Sequence, residues 1–283
     1  MAQLRVSAKI FFLCFKIDMH ITPIINNQNK LNDKPSFKLW NRTVYKKDSK
    51  TLLNAVSHRN DTFFVRHIGS LKKSTNAESW IKFVEFLEGK YKNVSTINFY
   101  NYACSDGSEI YTFLVTLLSR FGKDFQSKFK EIYAIDIDKE AINKAKYGEY
   151  SLTQLEYNHI QELTQNKIHN YFDIISDEGS QSYIAKPKNN LKSKVKFIQA
   201  DAFDDYKRIK PQNSVVFARN FWPYLEKKMP TLLGKFEGQL KENSTFTIGN
   251  FDKNVCPFYN FDIVIEIIKK GFRQTKIENV FEK

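Results

Sequence analysis

The chain has 283 residues, 42% hydrophobic and 15% aromatic, enough to bury one substantial core with an appendage or two modest domains. Its formal charge of +13 comes mainly from lysines dispersed at 46–50, 72–73, 186–196, 227–228 and 269–270. Dispersal of that kind reads first as solvated lysine-rich faces, with an acidic protein partner or RNA as the other readings, and no basic and aromatic stripe of RNA-binding type appears. Cys14, Cys104 and Cys256 contain no CxxC pair, which excludes a disulfide framework and fits a reducing, cytoplasmic compartment.

Residues 9–17 (KIFFLCFKI) carry an apolar core of only about six residues, where a membrane span needs about 20. No membrane span is expected, and Met19 offers an alternative start. Residues 19–59 are rich in Asn, Lys and Ser with little periodicity, so 1–59 reads as a poorly patterned arm with short helices. Residues 77–91 place Trp80, Phe83, Val84 and Leu87 at i, i+3, i+4 and i+7, the stripe of an amphipathic helix that lies against a sheet.

Strand and helix then alternate. A strand is predicted over 96–102, a helix over 108–121 stopped by Gly122, a strand over 131–137 and a helix over 139–146 ended near Gly148. A helical piece near 151–166 and two short runs, 171–175 and 182–186, interrupt this order and read as a small antiparallel insert. Alternation resumes with strands at 195–200, 214–218 and 245–249 around a helix at 230–240, and closes with a helix at 261–270 and an extended run at 272–281. The fold class is therefore α/β: a doubly wound, Rossmann-like sheet of six or seven strands with one antiparallel β insert at about 168–194.

The strand ends carry the chemistry. The loop 101–109 joins the first strand to an apolar helix, where open α/β sheets grip nucleotide-type cofactors. Its one glycine, Gly107, breaks the G-x-G-x-x-G pattern and suits a nucleoside better than a pyrophosphate. Ser108 can cap the helix, and Glu109, in its first turn, can accept from a ligand ammonium or serve the helix dipole alone. Asp136 ends the second strand where an acid takes ribose hydroxyls, whereas Asp138 is better placed to cap the next helix. Asp201 and Ala202 end the third strand as an edge for an adenine amino group and ring face, and Arg219, Asn220 and Tyr224 follow the fourth. His20, His58, His67, His159 and His169 show no ligand spacing, so no metal is expected.

Taken together these motifs resemble the CheR family of chemotaxis-receptor glutamate methyltransferases. The 103–111 run is similar to the family's A-C-S-T-G-E-E-P-Y, and 134–138 followed by 145–150 to its T-D-I-D and A-x-x-G-x-Y. Residues 219–224 keep the arginine, asparagine and tyrosine of R-N-V-x-I-Y-F, and 60–66 keep the spacing of N-x-T-x-F-F-R. After the fifth strand, Gly249-Asn-Phe-Asp252 keeps the family's glycine but offers no clear match for its glutamate.

The resemblance implies a class I methyltransferase domain over 60–283 that uses S-adenosyl-L-methionine (AdoMet) and releases S-adenosyl-L-homocysteine. It implies cofactor contacts from Asn60, Thr62, Arg66, Glu109, Asp136, Asp201, Ala202 and Asn220, with Arg66 and Tyr224 beside the acceptor carboxylate. The implied acceptor is a glutamate of an acidic protein, such as a chemotaxis-receptor helix. A carboxylate is already ionised at pH 7 and needs no general base. Two other readings are an AdoMet methyltransferase acting on RNA or another nucleophile, and a non-catalytic adaptor that keeps the fold.

Overall fold

A computed structural model describes residues 76–177 and 182–283. The predicted amphipathic helix forms as α1 (Asn76–Lys90), and its stripe of Trp80, Phe83, Val84 and Leu87 is fully buried. Then follow β1 (Ile97–Tyr102), α2 (Ser108–Arg120), β2 (Phe129–Asp136), α3 (Lys139–Tyr147), β3 (Tyr150–Thr153) and α4 (Gln154–Leu163). The chain continues through β4 (Phe172–Asp177), β5 (Ser182–Pro187), β6 (Lys196–Gln199), α5 (Ala202–Asp205) and β7 (Ser214–Ala218). It ends with α6 (Met229–Gln239), β8 (Thr245–Thr247), α7 (Asn250–Val255), α8 (Ile263–Lys269), β9 (Arg273–Gln274) and β10 (Val280–Glu282). Among the described residues no helix is long and apolar enough to cross a membrane.

Seven strands form one sheet in the order β6-β2-β1-β7-β8-β10-β9. The first five run parallel, and β10 is antiparallel to both β8 and β9. This is the doubly wound, Rossmann-like sheet expected from the sequence. From β1 the chain winds outward through β2 to β6, then returns to the other side of β1 as β7, so the topological switch point lies between β1 and β7. Ligands of open α/β sheets collect at the carboxyl ends of the strands beside such a point. Register keeps those ends level: Tyr102 pairs with Ile135 of β2 on one side and Ala218 of β7 on the other.

The period-2 alternation of β1 divides the core between the two sheet faces. Phe99 stacks on Phe113 of α2 at 4.3 Å and meets Phe217 edge-on at 4.7 Å, in a cluster shared with α1 and α4. Tyr100 and Tyr102 belong to the opposite cluster, where Tyr102 packs on Phe236 of α6 at 5.0 Å. Buried residues therefore cover both faces of the sheet.

The insert differs from its prediction by one strand. Residues 150–153 form β3, giving a separate antiparallel sheet in the order β3-β5-β4, instead of opening a helix. Tyr150 and Leu152 are buried while Ser151 and Thr153 are exposed, and the helix starts only where Thr153 and Glu156 close a capping box. The predicted extended run at 272–281 is likewise two short strands, β9 and β10, joined through a turn that places Asn279 at φ 64°.

Candidate functional site

The loop from β1 to α2 is shaped by three left-handed residues, Ala103 (φ 56°), Ser105 (φ 50°) and Gly107 (φ 82°). Such conformations store strain in non-glycine residues and persist where surrounding bonds fix them. Here the fixing bonds come from β2: Cys104 N donates to Ile135 O (3.1 Å), and Ser105 N donates to Asp136 Oδ2 (2.9 Å). A β-carbon at Gly107 would stand 3.0 Å from Ala145 Cβ and 3.1 Å from the Phe197 ring, so only glycine suits the turn on both counts. Gly107 is itself the residue before the helix, and Ser108 lies inside it. Asp106, not Ser108, does the capping: its Oδ1 accepts from Ser108 N (3.0 Å) and Ser108 Oγ (2.7 Å).

Asp136 reaches both neighbouring turns, since Oδ1 accepts from Asp138 N at 2.9 Å while Oδ2 takes Ser105 N. Burial raises its carboxyl above the usual range, against the pull of these backbone donors. Asp138 caps α3 through Glu140 N (2.8 Å), as its position suggested. Asp201 caps α5 by accepting from Phe203 N (2.8 Å), and Asp201 and Ala202 are both half-buried at the end of β6.

Glu109 is not at the mouth of the site. It is 1% exposed, with Oε2 accepting from Asn101 Nδ2 (2.9 Å) and Oε1 paired with Arg219 Nη1. The Arg219 guanidinium lies over the rings of Trp80 (5.7 Å) and Phe217 (5.8 Å). The pair thus joins the first helical turn after β1 to the end of β7, underneath the switch point. Nothing in the local sequence could reveal it, because the partners stand 110 positions apart.

Asn220, at φ 61°, is half-buried, and its Nδ2 is buried without a hydrogen-bond partner among the described residues. Tyr224 is half-buried with its ring 5.6 Å from that of Phe251. Sequence reasoning missed Asp252, which is fully buried and accepts from Gly249 N, Asn220 N and Trp222 N. Its signal was present as an acid three residues after Gly249, the spacing of a capping box. Asn60, Thr62 and Arg66 lie outside the described residues.

The fold therefore brings Asp136, Asp201, Ala202 and Asn220 to one edge, places Glu109 below it, and puts Tyr224 along the chain from Asn220. The edge fits AdoMet. Asp136 and Asp201 each spend only part of their lone-pair capacity on backbone donors and retain acceptor positions for ribose hydroxyls and the adenine amino group. The unpartnered Asn220 amide adds a buried donor. Asp106, Asp136, Asp138 and Asp201 make this edge acidic on a basic chain, which suits a ligand carrying ammonium and sulfonium charges.

Residues 67–256 match the family described as CheR methyltransferase, SAM binding domain. The chain is 23% identical over 217 residues to the chemotaxis protein methyltransferase of Salmonella typhimurium, covering 69% of this chain and 72% of that protein. It is 24% identical over 193 residues to the chemotaxis protein methyltransferase of Campylobacter jejuni, covering 68% of this chain and 63% of that protein. Among solved structures, the plantazolicin methyltransferase BpumL in complex with a desmethylplantazolicin analogue and SAH aligns at TM-score 0.41 and 14% identity, over 82% of this chain and 66% of that one. The N-methyltransferase NodS from Bradyrhizobium japonicum aligns at TM-score 0.37 and 12% identity, over 71% and 90%.

Proposed function

Since the chain belongs to the CheR methyltransferase family and uses S-adenosylmethionine as its cofactor, we propose that it methylates a glutamate carboxylate of an acidic protein, of the chemotaxis-receptor kind. One observation carries the choice of acceptor: the carboxylates at the site edge are engaged as caps or loop ties, and no described histidine lies in the strand-end loops. With no uncommitted base at this edge among the described residues, a nucleophile that is already ionised is favoured. The two bacterial relatives are named chemotaxis protein methyltransferases, which supports a protein acceptor, and the chain's charge of +13 favours encounter with an acidic surface.

When bound, the cofactor supplies an activated methyl group on a sulfonium. The chain's part is alignment, since an in-line displacement gains most of its rate from holding the two reactants at attack distance. Asp136 and Asp201 would hold the nucleoside end, and Asn220 would donate to the methionine end. Asn60, Thr62 and Arg66, outside the described residues, would add the cofactor contacts that the family resemblance implies. Arg66 and Tyr224 orient the acceptor carboxylate by charge and hydrogen bond, and no proton has to move. Incubation with methyl-labelled AdoMet and an acidic acceptor protein should give label released as methanol by mild alkali. Alkali-stable label on protein or RNA overturns the carboxylate assignment.

A further inference from the structure

Asp252 stands on a different strand end from the residues it binds. It lies in the first turn of α7, after β8, and is fully buried. Its Oδ2 accepts from Gly249 N (2.8 Å) and Asn220 N (2.6 Å), and its Oδ1 accepts from Trp222 N (3.1 Å). The bond to Gly249 is an ordinary helix cap, but the other two cross to the turn after β7. A residue serving α7 alone would not use two of its three donors from the neighbouring loop. Burial raises this carboxyl above its usual range, while the three backbone donors and the Arg219 charge pull the other way.

Gly249 acts on the same turn from the other side. A β-carbon there would fall 1.9 Å from Asn220 Oδ1 and 3.0 Å from Asn220 N, although its own φ of −91° is open to any residue. Glycine is therefore demanded by contact with Asn220, not by backbone conformation. The Asn220 carboxamide packs its oxygen side against Gly249, its backbone is held in the left-handed region at φ 61°, and its buried Nδ2 is left without a protein partner among the described residues.

We propose that Asp252 and Gly249 are positioning residues for the cofactor: together they clamp the turn after β7 and hold the Asn220 carboxamide in the orientation that leaves its NH2 for AdoMet. The clamp concerns cofactor binding and is independent of which acceptor is methylated. Three variants of the full chain test it: D252N, which keeps side-chain volume but replaces one acceptor oxygen by NH2; G249A, which crowds Asn220 without touching a charge; and I267A, which empties a buried site in α8 as a control for lost stability.

In D252N, backbone amide exchange at residues 220 and 222, read by NMR, should rise at least about tenfold relative to I267A at equal distance below each melting temperature. By calorimetry, the Kd for S-adenosylhomocysteine should rise about ten- to a hundredfold in D252N and in G249A, the range expected for lost charge-assisted bonds, and stay near native in I267A. The double variant D252N/G249A should lose less than the product of the single effects, because both act through one turn. The clamp is overturned if D252N and G249A bind within twofold of the native chain, or if I267A loses affinity and amide protection to the same extent.

Discussion

Glu109, read from the sequence as an acceptor for a ligand ammonium or a partner of the helix dipole, is a buried carboxylate paired with Arg219. The change follows from burial: at 1% exposure the carboxylate must be compensated, and Arg219 with Asn101 compensates it. E109Q removes the buried carboxylate that pairs with Arg219 Nη1, and should cost about 3–5 kcal/mol of stability by urea denaturation. E109Q/R219Q should recover part of that loss, because the two partners are coupled and both are then removed. Equal losses in the single and double variants would contradict the pairing. Asp252 sets a pH dependence of defined sign. Burial pushes its carboxyl up to about 7, against about 3.9 for an unfolded Asp, so the folded chain holds this proton more tightly. Its contribution is fully present below the unfolded pKa and is lost as pH rises through the folded value. The stability advantage of the native chain over D252N should therefore shrink between about pH 4 and pH 7, as followed by denaturation at each pH.

Among the elements, the turn between β1 and α2 carries the strictest local demand. G107A forces a β-carbon into a residue at φ 82° and against Ala145 and Phe197, and should cost about 1–3 kcal/mol while weakening S-adenosylhomocysteine binding, read by thermal melting and calorimetry. G122A, whose β-carbon meets nothing within 4 Å, should leave binding unchanged. Gly107 was legible because a strand, a glycine turn and an apolar helix stand in sequence within a dozen residues. So were α1, β1, α2 and β7, each written as a long or strongly apolar run. The third strand of the insert was not, because residues 150–153 alternate too briefly to outweigh the helical pattern that follows. Asp252 and the Glu109 pair escaped for a different reason: their bonds are made across loops, and sequence spacing reports only neighbours. Asp136 shows both cases, since its place at a strand end was readable while its tie to Ser105 was not.

Across the whole molecule, these loops hang from one edge of a sheet whose two faces are closed by separate apolar clusters. Binding at that edge bridges strands on both sides of the switch point, so ligand free energy is felt as global stability rather than as local ordering. A ligand that binds the folded state alone, at about 100 times its Kd, adds about 2.7 kcal/mol. For a domain of about 150–250 residues each kcal/mol is worth about 2–4 °C, so S-adenosylhomocysteine at that concentration should raise the melting temperature by about 5–11 °C. D136A should abolish this shift, since it removes both the proposed ribose acceptor and the bond to Ser105 N that shapes the opposite loop. The unliganded D136A melting temperature separates the two losses. A fall without ligand reports the lost tie between loops, and the missing increment with ligand reports the lost contact. If D136A keeps the full increment, the cofactor does not lie across the ends of β1 and β2, and the edge assigned here is the wrong one.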